Sequence, residues 1–480
     1  MDPTPNRATL KTDVVGLLGA ATLGTVMLSP AMTLYGNFGP AFVQVGRAAP
    51  LAFVLALIAT IPTAASYALL SRDYPDSGSA AGWMARASSR RFGEWLGKWA
   101  GWIVFLYYFN NFIIQPVTLG VFLNDFLTTL GFHPGFWTYA LGAILCCAWP
   151  AWIVYRGISI SSAGALRFLL VESAIVTALC VTVVWLAPAH VPGMHFSTEG
   201  FHLSASPDGV SGMFRAMVFG MLAFCGFDVI STLSEEAKMA RKMIPQATFL
   251  ALAIFGAFII AGVWALTYAA PAEKLKAVAD AGGMPITEIA REFWGKWALL
   301  VPVTAITAAL GIAIATAVGA SRVLYSMGRK GLAPASLAQL HPKYQVPWNA
   351  MNVIFGGGLV AAVITGACLG PYYAYTWWGT TSTFFAMLTY LLVNFANLVL
   401  FRERAFKSVK GFVFHVAIPL FGIGADGYIL VRSFFIELWN QGWANGQSVI
   451  VVDVACAAIA LGFALRTSFV RRPVIEIAGG

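Results

Sequence analysis

Uninterrupted apolar stretches, each about 20 residues or longer, recur from one end of the chain to the other, which is the length a helix needs to cross ~30 Å of hydrocarbon. Behind Asp13 no charged residue appears until Arg47, a run of 33 positions. Only 11% of the 480 residues are charged and 59% are hydrophobic, whereas a soluble domain is roughly one quarter charged. Mean hydropathy is +0.74. A membrane β-barrel would show short segments of alternating polarity, but these runs are continuous, so the backbone must satisfy itself within helices. The fold class is therefore all-α integral membrane, with the lipid bilayer as its solvent.

Twelve spans are expected, near 14–46, 48–70, 95–124, 136–154, 158–187, 211–234, 246–270, 298–321, 349–369, 374–401, 411–435 and 447–465. With the N-terminus cytoplasmic, most of the 30 Lys and Arg fall in inner segments, and the outer ones, such as Lys274, Lys276, Arg291 and Lys296, gather in one loop. By the positive-inside rule both termini are expected to be cytoplasmic, with an even number of spans. The first apolar stretch is too long for a signal-peptide core and is expected to remain as span one. The net charge of +9 is scattered between spans and follows from topology, so no nucleic-acid partner is expected. The six cysteines sit in or beside apolar runs without metal or disulfide spacing, and the histidines lie mostly in loops. No metal, cofactor or enzymatic chemistry is indicated. Residues 271–297 suggest a short surface helix over an extracellular vestibule, and 77–93 an interfacial helix whose arginines snorkel.

Two spans are irregular. In span one, Ser29-Pro30 interrupts an overlong run, because Pro30 has no amide hydrogen and disfavours helix at Ser29. In span six, Gly226 stands two residues before Asp228, an acid inside an apolar segment that by default faces a cavity, an ion path or a partner. Free backbone at this depth is tolerated only where it lines protein or a polar cavity. The two spans become equivalent if 1–208 and 209–410 are inverted repeats of five spans each, followed by two further helices in 411–480. A half-helix N-terminus would then hold a carboxylate, and exposed carbonyls an ammonium. A zwitterionic amino acid suits both.

Four blocks of sequence carry a resemblance: YALLSRDYPDSGSA at 67–80, GISISSAG at 157–164, AFCGFDVISTLSEEAKMARKMIP at 223–245 and SRVLYSMGRKGLAP at 321–334. In this order they resemble the amino acid-polyamine-organocation (APC) superfamily, in particular bacterial amino acid permeases. The resemblance implies the 5+5 inverted-repeat (LeuT-like) fold with alternating access, and a small-molecule site between spans one and six, helped by spans three, eight and ten. Carried across, Thr25, Val26, Met27, Leu28 and Ser29 match the unwound part of span one. Phe224, Cys225, Gly226, Phe227 and Asp228 match that of span six, and Tyr107 and Tyr108 lie where span three faces the cavity. Leu222 stands near an aromatic gate position of some relatives. Many relatives have a glycine-rich pair in span one, where this chain reads Gly24-Thr25-Val26-Met27, so the carboxylate cradle either shifts toward Ser29 or is not needed.

Some relatives place a lysine in span five for proton coupling; here the charged residue nearby is Glu172. A carboxyl kept out of water is costly to hold charged and so is suited to gaining and losing a proton during transport. Its alternative role is structural, paired with Arg167 or a hydroxyl. Sodium coupling would instead draw on span eight, through Thr304 and Thr307. The expected function is a secondary active transporter, a proton-coupled symporter or exchanger of an amino acid, working as a monomer or homodimer. The alternatives are a transporter of polyamines or other organic amines, and a sensor that binds an amino acid without moving it. Asp426 and Asp453 lie outside the repeats and are assigned to packing or an oligomer contact.

Overall fold

The computed structural model describes residues 28–89, 94–156, 158–190, 195–233, 240–281 and 283–468. Every regular element among them is helical. Among the described residues eleven segments are long and apolar enough to cross a membrane. The first, Pro30–Asp73, has 44 residues. At 1.5 Å per residue it is far longer than one crossing requires. It is divided at Gly46, whose φ of +54° is a conformation that glycine adopts without strain. Helix α1 (Phe38–Val45) ends there and α2 (Ala49–Asp73) begins after one 3₁₀ turn, with Pro50 in its first turn where a missing amide hydrogen costs nothing.

The helices that follow are α3 (Ala80–Ser89), α4 (Glu94–Thr129), α5 (Phe136–Val154), α6 (Ile158–His190) and α7 (Gly209–Phe224). Then come α8 (Ala240–Thr267), α9 (Ala272–Asp280), α10 (Pro285–Trp294) and α11 (Leu300–Arg329). The last are α12 (Trp348–Leu369), α13 (Pro371–Leu400), α14 (Ile418–Leu430) and α15 (Ser448–Ser468). The long α4 is the hub, packing on α3, α5, α11 and α13. Backbones approach closely where side chains are absent: a Cβ on Gly142 of α5 would stand 2.7 Å from the Cα of Gly120 on α4. Small residues at such crossings are how helices associate in lipid, where apolar burial supplies no driving force.

Two expectations are refined. The 271–297 segment forms two helices, α9 and α10, tied by Lys274 to Glu288 (3.4 Å) and Glu292 (3.0 Å) and by Thr287 to Asp125 of α4 (2.7 Å). In the 77–93 segment, expected as an interfacial helix, the described part packs closely on the bundle. Within it α3 is tucked into the bundle against α4 and α13, with Ala80, Trp83, Met84 and Ala87 buried. Its alanines and Gly82 allow that approach, Trp83 donates to the Tyr74 carbonyl (2.7 Å), and Arg86 lies over the Tyr74 ring. Arg90 and Arg91 lie outside the described residues.

Asp426 of α14 begins a buried polar chain rather than an isolated packing contact. Thr63 of α2 donates to Asp426 (2.8 Å), Asn394 of α13 to Thr63 (2.7 Å), Ser66 to Asn394 (2.7 Å) and Asn397 to Ser66 (3.0 Å). His415 closes it against Asn397 at 3.0 Å. The chain holds α2, α13 and the C-terminal helices in one register, because its buried side chains bond across neighbouring helices.

Candidate substrate site

Span six is broken where the sequence predicted. Helix α7 ends at Phe224, Cys225 is extended (ψ 130°), Gly226 has φ +117°, and the chain resumes as a 3₁₀ helix at Phe227–Leu233. Only glycine adopts a φ of that kind readily, and it turns the backbone so that the Gly226 amide donates to Asp228 Oδ1 (3.2 Å). Asp228 is 1% exposed. Tyr107 of α4 donates to its Oδ1 (2.9 Å) and Tyr108 to its Oδ2. Among the described residues no lysine, arginine or histidine forms an ion pair with it. Tyr67, Tyr390 and Phe227 pack edge-on and tilted around the same cluster, with centroids 5.4–6.3 Å apart.

Span one is broken at Ser29, which has φ +29° and ψ 104°, a strained conformation for a residue with a side chain. The following Pro30 forbids helix there. Ser29 Oγ accepts from the Met32 amide (3.2 Å) and so caps the new helical turn, while its own proton goes to Glu172 Oε1 (3.1 Å). Glu172, on α6, is buried, and its Oε2 has no partner among the described residues. The acid singled out in span five thus meets the break in span one through a hydroxyl, not Arg167, which is exposed. Leu28 has its carbonyl taken by the Thr33 hydroxyl (2.9 Å), and a π-helical turn, Thr33–Asn37, follows. Thr25, Val26 and Met27 lie outside the described residues. Thr304 Oγ1 accepts from Tyr35 (3.2 Å) and donates to the Leu300 carbonyl, which joins spans one and eight.

Between the two breaks lies a narrow cleft of about 30 Å³. Leu28, Met32, Thr33 and Asn37 line it from span one, Asn111, Ile114 and Gln115 from α4, and Leu222, Ala223 and Cys225 from α7, with Ile312 and Tyr375 completing it. No charged side chain is among them. Tyr107 and Tyr108 precede Asn111 by four and three positions, one helical turn away on the same face, so the Asp228 cluster lies next along α4 from the cleft. Of the expected site residues, Leu28 and Cys225 line the cleft, and Tyr107, Tyr108, Gly226 and Phe227 gather at Asp228, whereas Ser29 meets Glu172 and Phe224 packs on Phe255. Sequence reasoning missed Thr33, Asn37, Asn111, Gln115 and Tyr375. The available signal was the pair of amides at 111 and 115, i and i+4 within an apolar run.

Comparison with known proteins gives this geometry its setting. A family model described as "Amino acid permease" matches residues 18–461. The low-affinity putrescine importer PlaP of Escherichia coli K12 is 26% identical, over 98% of this chain and 97% of that protein. The branched-chain amino acid permease BcaP of Bacillus subtilis is 25% identical, over 65% of this chain and 66% of its own. The Bacillus subtilis methylthioribose transporter is 29% identical, over 67% and 68% respectively. The crystal structure of a manganese transporter from Eremococcus coleocola, in complex with an aromatic bis-isothiourea compound, superposes with a TM-score of 0.59 at 11% identity, covering 98% of this chain and 99% of that one. At that identity the likeness concerns the fold alone.

Proposed function

Given that the chain belongs to the amino acid permease family and is a multi-pass membrane transporter rather than an enzyme, we propose that it moves an amino acid or a related amine between the broken spans by alternating access. One observation supports this most: Asp228 is a buried carboxylate held by neutral donors alone among the described residues. An acid in that state is stable when it carries a proton or faces a cation. A substrate ammonium arriving from the adjoining cleft supplies that cation, and the tyrosine rings around it suit a positive charge. The same observation favours organic diamines as a second reading, since putrescine is the substrate in the name of the relative PlaP.

We read Pro30–Asp73 as two spans, so that the chain crosses twelve times, with 1–208 and 209–410 as inverted repeats and both termini in the cytoplasm of a bacterium. In this orientation the cleft lies on the outer side of Asp228 and the tyrosines close the inner side. Glu172 serves as the proton-coupling acid, because it reaches the break in span one through Ser29 and would register its rearrangement. Counterflow of labelled substrate in proteoliposomes tests the proposal: internal unlabelled amino acid or putrescine should drive transient accumulation of the label. Binding without counterflow would make the protein a sensor instead.

A further inference from the structure

Three side chains that line the cleft, Gln115, Thr33 and Tyr375, bring to it oxygens whose own hydrogens are spent within the protein or absent. Gln115 is 2% exposed, and its Oε1 has no partner among the described residues. Its Nε2 donates to the Asn111 carbonyl (3.0 Å), which fixes which end of the amide is oxygen. Thr33 spends its hydroxyl hydrogen on the Leu28 carbonyl (2.9 Å), and Tyr375 spends its own on Asn37 Oδ1 (3.1 Å). Each of these oxygens can only accept a further hydrogen bond. Donors are offered by the amide nitrogens of Asn37 and Asn111, and among the described residues no charged side chain lines the cleft.

Resting on the proposed role of Asp228, we infer that the transported amine carries a second hydrogen-bond donor away from its first ammonium, an amine, amide or hydroxyl, and that Gln115 is the residue that selects it. An aliphatic tail would leave the Gln115 oxygen buried and unpaired, which costs more than a satisfied pair gains. A carboxylate tail would meet these acceptor oxygens with only neutral amide donors beside them and, among the described residues, no cation. The inference separates two chemistries that similar proteins handle: it places this chain with donors such as a diamine or glutamine rather than with leucine-like substrates.

The test compares matched pairs, putrescine against butylamine and glutamine against norleucine, by thermal stabilisation of the purified protein and by competition in counterflow. The expected result is that the donor-bearing member of at least one pair binds about tenfold more tightly or better. Gln115→Met, similar in volume but without the carbonyl, should reduce that ratio severalfold, and Thr33→Val should do the same if Gln115→Met does not fold. Equal binding within both pairs overturns the inference, as does a folded Gln115→Met with an unchanged ratio, or no stabilisation by any of the four. Selective binding without counterflow upholds the selection and overturns the transport reading instead.

Discussion

Tyr107 and Tyr108 each give one hydroxyl to the same buried carboxylate, so replacing either by phenylalanine removes a hydrogen bond and little volume. Within a membrane such a bond is worth about 1 kcal/mol, and the double replacement should lower unfolding stability by roughly twice that. Unaltered stability of the double variant would mean that the two hydroxyls do not hold Asp228. Glu172 makes a different claim. Glu172→Gln keeps an oxygen to accept from Ser29 but can no longer exchange a proton. Counterflow should survive in that variant while accumulation driven by an imposed pH gradient disappears; full pH-driven uptake would remove Glu172 from coupling.

At the scale of elements, the breaks in spans one and six rest on backbone that other residues resist. Gly226→Ala would force a side chain into φ +117° and should cost about 1–3 kcal/mol of stability, read as a lowered Tm. Both breaks were legible in the sequence because proline after a serine and glycine before an acid are anomalies against an apolar background. The cleft was less so: Thr33, Asn37 and Tyr375 reach it through a π turn and through packing between distant helices, and neither leaves a local signal. The chain from Asp426 to His415 was hidden for the same reason, since its bonds join residues of helices far apart in sequence. Asn394→Leu would take from Thr63 one of its two partners and from the Ser66 hydroxyl hydrogen its acceptor, and should destabilise by about 1–3 kcal/mol, whereas a surface substitution at Lys407 should not. The α9–α10 pair is held at its edge by Lys274, whose ammonium is kept above the ordinary lysine range by its hydrogen bond to Glu292. That contribution is full below the ordinary range and fades as pH rises through the raised value, so hydrogen exchange across 272–294 should show no loss of this contact from neutral to mildly alkaline pH.

For the whole molecule, apolar length and charge asymmetry were enough to read an all-α membrane protein, because lipid permits few other solutions. The orientation is open to direct trial. With the exposed Cys368 replaced by alanine, a membrane-impermeant maleimide applied to intact cells should label Lys276→Cys in the α9 loop and leave Ser336→Cys unlabelled. The reverse pattern would invert the topology. The central claim, that a substrate ammonium is carried past Asp228, is tested most directly by counterflow of labelled putrescine and of labelled glutamine into proteoliposomes with the native protein and with Asp228→Asn, which is nearly identical in shape. The native protein should accumulate at least one of the two transiently. The variant, once shown to be folded by its thermal unfolding profile, should fall at least tenfold below it, the loss expected for a charge-assisted contact of about 1.5–3 kcal/mol. Undiminished counterflow by a folded Asp228→Asn would contradict the account.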